Sequence, residues 1–256
     1  MRSLPDLLCP VRRILRSRHA LAAGLLTCTI GLPLLACSKH PTRPIVRADS
    51  PTAVVQRFRT AWIERDTLAF RSCLAETFFG YGSACIDSTG HLFLQIGPGR
   101  DSSIVAAARL FRLGSASHPP AVWIDVRIDS FELQPGARDS IHERDAFGTA
   151  SVVIRTPSGT LHLGGFTGFH LVRGDVPLAI LPPDSTRWFI QNWLDLVTDE
   201  TAPSTAHIDA SWRAWQSMRE RVTRSSSAPP QRATDSAGCD SLLRTTWGYA
   251  LRRYLD

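Results

Sequence analysis

The side chains that could do chemistry are few and scattered. Asp125 and Asp129 sit on Trp-Ile-Asp-Val-Arg-Ile-Asp, residues 123–129, where Ile124, Val126 and Ile128 alternate with them. A strand puts alternate residues on opposite faces, so the two carboxylates share one face and the aliphatic residues the other. A carboxylate pair can serve acid–base catalysis only if it faces a pocket. If the aliphatic face is the core face, both acids point to solvent and cannot be bases. His162 and His170 also share strand parity, and histidine pairs can hold a metal or move protons. Eight residues of extended chain span about 26 Å, too far for one ion. Exposed or hydrogen-bonded structural histidines are the expectation. Tyr81 reads as an oxyanion donor or a packed aromatic. Zinc-protease, serine-hydrolase and phosphate-loop signatures are absent. Gly97-Pro98-Gly99-Arg100 precedes a helix but lacks the lysine of a phosphate loop, and reads as a turn and cap. No catalytic residue, cofactor or metal site is expected.

The cysteines are more informative. Residues 2–18 are rich in arginine, residues 20–36 carry no charge, and Cys37 follows at once. A basic start before an apolar run is the pattern of a secretory signal. The run is short for a bilayer span and is interrupted by Gly31 and Pro33. Leu34-Leu35-Ala36-Cys37 resembles the bacterial lipoprotein box. The resemblance implies that the Cys37 thiol is acylated, that cleavage follows the small Ala36, and that the new amine is acylated too. Several acyl chains give a stable anchor where one alone is marginal. Ser38, with no aspartate beside the cysteine, implies the outer membrane, facing the periplasm, in a diderm host. Residues 1–36 are then the signal peptide and residues 37–49 a proline-containing tether.

Cys9 and Cys28 leave with the signal, and an acylated Cys37 leaves Cys73, Cys85 and Cys239. An oxidising compartment allows one disulfide among them. Cys73–Cys85 is the preferred pair, because both lie in the expected domain and close a short loop, although sequence does not decide connectivity. The formal charge is +6, but five arginines and one acid fall in residues 1–36, leaving 24 basic against 22 acidic residues. Lys39 is the only lysine and no basic run follows it. That excludes a phosphate-tracking surface, and no nucleic-acid partner is expected.

Helical signals come first. Ser50-Pro51 caps and starts a helix with an apolar stripe at Val54, Val55, Phe58, Ala61 and Trp62. Glu64-Arg65-Asp66 breaks it. A short helix through Leu68, Phe70, Cys73 and Leu74 follows, then a strand from about Thr77 and a short strand or apolar loop at 90–97. Asp101 is expected to cap a third helix that Gly114 closes. Beyond it the period changes to two, with a strand at 123–129, a long hairpin turning at Pro157-Ser158-Gly159, and a last strand at 187–196. Helices followed by a mostly antiparallel sheet argue for an α+β fold.

Residues 50–82, helix, Arg-Asp break, short helix and phenylalanine-rich strand, resemble the opening of the NTF2-like superfamily, which includes SnoaL-like proteins and ketosteroid isomerases. Trp188-x-Ile190-x-x-Trp193-x-Asp195 is similar to the final strand of many secreted and lipid-anchored members. The resemblance covers about residues 50–198. It implies three helices against a curved sheet, a cone with an internal pocket, and frequent dimerisation through the sheet. Gly164, Gly165 and Gly168 suit a sheet that must curl. Another α+β sandwich with this element order is the competing architecture. Isomerase members use a pocket carboxylate with an oxyanion stabiliser. The resemblance picks out Asp195, for which pairing with an arginine or capping a backbone turn is preferred to catalysis.

Residues 199–256 form a helical or partly disordered C-terminal extension. Trp212, Trp215 and Met218 have helical spacing, a linker follows, and Leu243, Trp247, Ala250 and Tyr254 share one helical face. Folding back on the domain is the preferred reading, with a partner-binding or membrane-surface helix as alternatives. The functional expectation is a lipid-anchored envelope protein with a non-enzymatic domain that binds a small apolar ligand or a protein partner. A small isomerase- or cyclase-type enzyme is the alternative, and a structural module filled by its own side chains is the third. An acid or histidine projecting into an enclosed cavity would favour the enzyme.

Overall fold

Helix α1, Pro51–Glu64, starts where Ser50 Oγ accepts the Ala53 N–H at 3.1 Å and proline takes the first turn. The computed structural model describes residues 47–86, 92–136, 141–198, 213 and 237–255. Cys37, the signal segment 1–36, most of the tether, the Trp212–Met218 stripe and the linker after it lie outside the described residues. The apolar stripe of α1 is buried as its spacing requires. Arg65 ends the helix in the left-handed region, φ 54°, and Asp66 begins α2, Thr67–Cys73. The Asp66 Oδ1 accepts both the Leu68 and Ala69 N–H groups at 2.9 Å. Two arginines then fix this corner to the sheet. Arg59 Nε donates to Val126 O at 2.7 Å and Arg65 Nη1 to Ala121 O at 2.6 Å.

Six strands form one sheet in the order β2-β1-β6-β5-β4-β3, where β1 is Tyr81–Ile86, β2 Leu92–Ile96, β3 Trp123–Pro135, β4 Glu143–Thr156, β5 Gly159–Gly174 and β6 Asp184–Thr198. Among the named strands of the described residues, β1 and β6 alone pair in parallel. The β4–β5 hairpin turns at Pro157-Ser158, with Gly159 at φ 147°. Gly165 lies at φ 148°, and a Cβ there would meet Leu196 O at 2.7 Å. That backbone suits glycine alone, and it bends β5 where its pairing with β6 ends at Phe166–Leu196. The result is an α+β fold with helices on one face of a curved, mostly antiparallel sheet. The main core lies between them.

Three local expectations are corrected. The strand expected from Thr77 starts at Tyr81. Residues 77–80 are irregular, because Phe78 turns into the core and Gly80 adopts φ 135°. Asp101 does not cap α3, Arg100–Ala108; the cap is Gly99, with no side-chain bond, and Ser103 Oγ donates back to Pro98 O and Gly99 O. The helix widens into a π turn, Arg109–Leu113, before Gly114 ends it. Cys73 and Cys85 are not paired: Cys85 bonds Cys239 and Cys73 is a free, buried thiol. The reason is topological. Cys73 ends α2 inside the core, whereas α4, Ala237–Leu243, brings Cys239 against β1 with a Cα–Cα distance of 5.7 Å. Nearness in sequence is overruled by the returning C-terminal segment.

Asp66→Ala removes the acceptor for two backbone donors at the start of α2. It is expected to cost about 1 kcal/mol in urea unfolding with an unchanged m-value.

Candidate functional site: the interior of the cone

Helices pack on one face of the sheet, and the chain fills the interior between them with its own rings. Helix α5, Trp247–Arg252, follows the Thr246 cap and inserts Trp247 among core aromatics. Its indole centroid lies 5.2 Å from Trp62, 5.2 Å from Trp193, 5.3 Å from Phe58 and 6.4 Å from Phe169. These tilted and edge-on contacts each contribute beyond area burial. Ala250, Leu251 and Tyr254 are buried with it, so the end of the chain folds back on the domain. Gly248 permits the approach, since a Cβ there would stand 2.6 Å from the Tyr81 ring.

Asp195 lies at the base of this arrangement, 3% exposed. Its Oδ1 accepts from Trp193 Nε1 at 2.8 Å and Thr167 Oγ1 at 3.1 Å, and its Oδ2 from the Gly248 N–H at 2.6 Å. Strand β6 points Trp193 and Asp195 to the same face. Burial pushes the Asp195 carboxyl up to about 6, opposed by the bonds from Trp193, Gly248 and Thr167 and by the charge of Arg252. Ser83 and Thr246 join hydroxyls at 3.0 Å. Burial raises the Tyr81 phenol and lowers the Arg252 guanidinium. The Tyr81 hydroxyl has no hydrogen-bond partner. Asp195 therefore holds a backbone turn, with a basic group nearby. Its oxygens are taken by the protein's own donors and not presented to a substrate.

The other candidate side chains are dispersed. Asp125 pairs with Arg127 at 3.3 Å and Asp129 is exposed, on the face away from buried Ile124 and Val126. His162 is exposed. His170 is buried on the opposite sheet face from Phe169, its Nδ1 2.6 Å from Asp145 Oδ1 and its Nε2 3.7 Å from Glu143 Oε2. The two histidines are not brought together. Burial pushes the Cys73 thiol up to about 12, which keeps it un-ionised and unreactive. Surface depressions among the described residues include one of about 390 Å³ at the α1–α2 corner and one of about 150 Å³ beside His118 and Tyr254. Neither is lined by the cone's ring cluster.

Sequence reasoning missed Trp247 as the side chain that fills the cone. The helical spacing of Leu243, Trp247, Ala250 and Tyr254 was the available signal. The segment is instead two short helices separated at Arg244–Thr246, with Leu243 only half-buried. In the chain-entropy description, the Cys85–Cys239 bond stabilises by about 5 kcal/mol, because it closes a long loop.

No family model and no curated protein sequence matches this chain. Solved structures do. It is similar to an NTF2-like superfamily protein from Salmonella enterica serovar Typhimurium, at 12% identity and a TM-score of 0.38, over 60% of this chain and 92% of that one. It is similar to an NTF2-like protein of unknown function in nutrient uptake from Rhodospirillum rubrum, at 14% identity and a TM-score of 0.36, over 58% and 98%. An uncharacterised protein with a cystatin-like fold from Caulobacter vibrioides matches at 15% identity and a TM-score of 0.36, over 63% and 94%.

The raised Asp195 value has a definite sign. Unfolded carboxyls titrate near 4, so between about pH 4 and pH 6 the folded protein holds this proton more tightly than the unfolded chain. Its contribution to stability is full at low pH and is lost as pH rises through about 6. Urea unfolding at about pH 4.5 and about pH 7 is expected to show the wild type losing roughly 2 kcal/mol more than Asp195→Asn.

Proposed function

We propose that this chain is a lipid-anchored envelope protein, held through Cys37, whose NTF2-like domain binds rather than catalyses. The observation that carries the non-catalytic reading is the state of Asp195. The carboxylate in the cone accepts three hydrogen bonds from the protein, and Trp247 occupies the space a substrate would need. Proton abstraction requires a base within reach of a substrate proton. With the cone filled, a protein partner would bind on the outside of the domain, and a small molecule would have to displace Trp247. A small apolar molecule is the second occupant, favoured by the aromatic character of the interior. The basic leader, uncharged run and Cys37 supply the anchor.

Native mass spectrometry of residues 38–256, purified without detergent, tests the binding reading. Bare polypeptide assigns binding to a protein partner, which membrane cross-linking then identifies. A co-purifying apolar molecule assigns the domain as a carrier. A substrate and product pair that Asp195→Asn abolishes overturns the non-catalytic reading. For the anchor, Cys37→Ala is expected to abolish radiolabelled palmitate incorporation and release the protein from membranes. Unchanged labelling and membrane association would overturn it.

A further inference from the structure

We propose that residues 240–255, tethered at Cys239, are an intramolecular latch that occupies the cone as a ligand would, opening without unfolding the sheet and without breaking Cys85–Cys239. The inference rests on the reading that the domain binds rather than catalyses, and gives that binding its regulation. The latch joins no sheet ladder. It is held by the Trp247 ring cluster, by Gly248 N–H to Asp195, Thr246 to Ser83 and Gly164 N–H to Thr245 O at 2.8 Å, by Arg109 Nη1 to Tyr254 O at 3.1 Å and Arg253 to His118 at 3.3 Å, and by buried Ala250 and Leu251. Near Pro119 the Tyr254 hydroxyl adds one more, at 2.6 Å.

Against these contacts stand bonds left unmade. Trp62 Nε1, Trp247 Nε1, the Tyr81 hydroxyl and Arg252 Nη1 are buried without a hydrogen-bond partner among the described residues. All belong to the latch or to rings beside it. A buried donor without a partner destabilises the state that buries it, and opening returns each to water. The Asp195 carboxylate also regains access to solvent. The closed latch is thus worth less than its buried area implies; the strands carry atoms of their own without a hydrogen-bond partner, Glu143 Oε2 and His170 Nε2, which opening the latch does not release. The covalent tether permits the excursion. Trp247 is eight positions beyond Cys239, a reach of about 26 Å when extended. The indole can leave the cone with the disulfide closed, and the tether holds it at high effective concentration for return.

The vacated seat defines its ligand. It is the size of one indole, walled by Phe58, Trp62, Phe169 and Trp193. Asp195 loses the Gly248 N–H and requires a donor. Tyr81 O–H and Trp62 N–H require an acceptor. The fitting class is a flat bicyclic aromatic carrying both an N–H or O–H group and a carbonyl oxygen.

Native-state hydrogen exchange on the purified protein, disulfide intact, tests both parts with 2-oxindole as the probe. The Gly248, Tyr249 and Leu251 amides are expected to exchange at least about a hundredfold faster than those of Phe169 and Trp193, through local opening. Exchange of both sets at one rate, with one denaturant dependence, would overturn the latch. Millimolar 2-oxindole is expected to speed latch exchange in proportion to its concentration by holding the open form. No change, or slower latch exchange, would overturn the ligand class. Neither result depends on whether a protein partner is found outside the cone.

Discussion

One carboxylate joins the three parts of this molecule. Asp195 rises from the last strand, takes Thr167 from the neighbouring strand and Trp193 from its own, and caps the turn that carries Trp247. The sheet cannot curl around an empty space without exposing Phe58, Trp62, Phe169 and Trp193 to water. The C-terminal helix fills that space, and its first free backbone N–H groups need an acceptor inside the core. A buried carboxylate meets the need at the cost of its own hydration, which is why its proton affinity is raised. The aromatic cluster and the buried charge are two sides of one solution.

The same economy decides what the site can do. The interior between helices and sheet could have been a pocket, and here the chain supplies the contents. Carboxylates elsewhere are spent on surface pairs such as Asp125–Arg127 or on the far face of the sheet, where Asp145 meets His170. A fold of this type does not by itself specify chemistry. The availability of its polar atoms does, and here the Asp195 oxygens are engaged by the protein's own donors.

Much of the fold was legible because its signals are local. Ser50-Pro51 starts a helix by capping one N–H and removing another, Arg65-Asp66 separates two helices by a left-handed residue and a cap, and Pro157-Ser158-Gly159 turns a hairpin. Alternation at Ile124–Asp129 correctly placed the acids outside, and the reading of Asp195 as a turn cap agrees with its bond to Gly248. What sequence did not disclose depends on distant partners. Cys239 meets Cys85 only because β1 lies beside β6 and a helix returns across both. Trp247 carries no mark that separates a core plug from a partner-binding face, since both use the same helical stripe. Asp101 looks like a cap, yet Gly99 takes that place and leaves the acid in the first exposed turn.

The position of Trp247 in the chain also sets the order in which the protein can become finished. Synthesis runs from the amino end, so all six strands and the first three helices exist before the indole that completes their interior. Until it arrives, the nascent domain carries an open aromatic bowl, the kind of surface that chaperones hold and proteases attack. A chain interrupted after β6 would keep that surface permanently. Placing the indole this late leaves completion of the core to a segment that follows every strand.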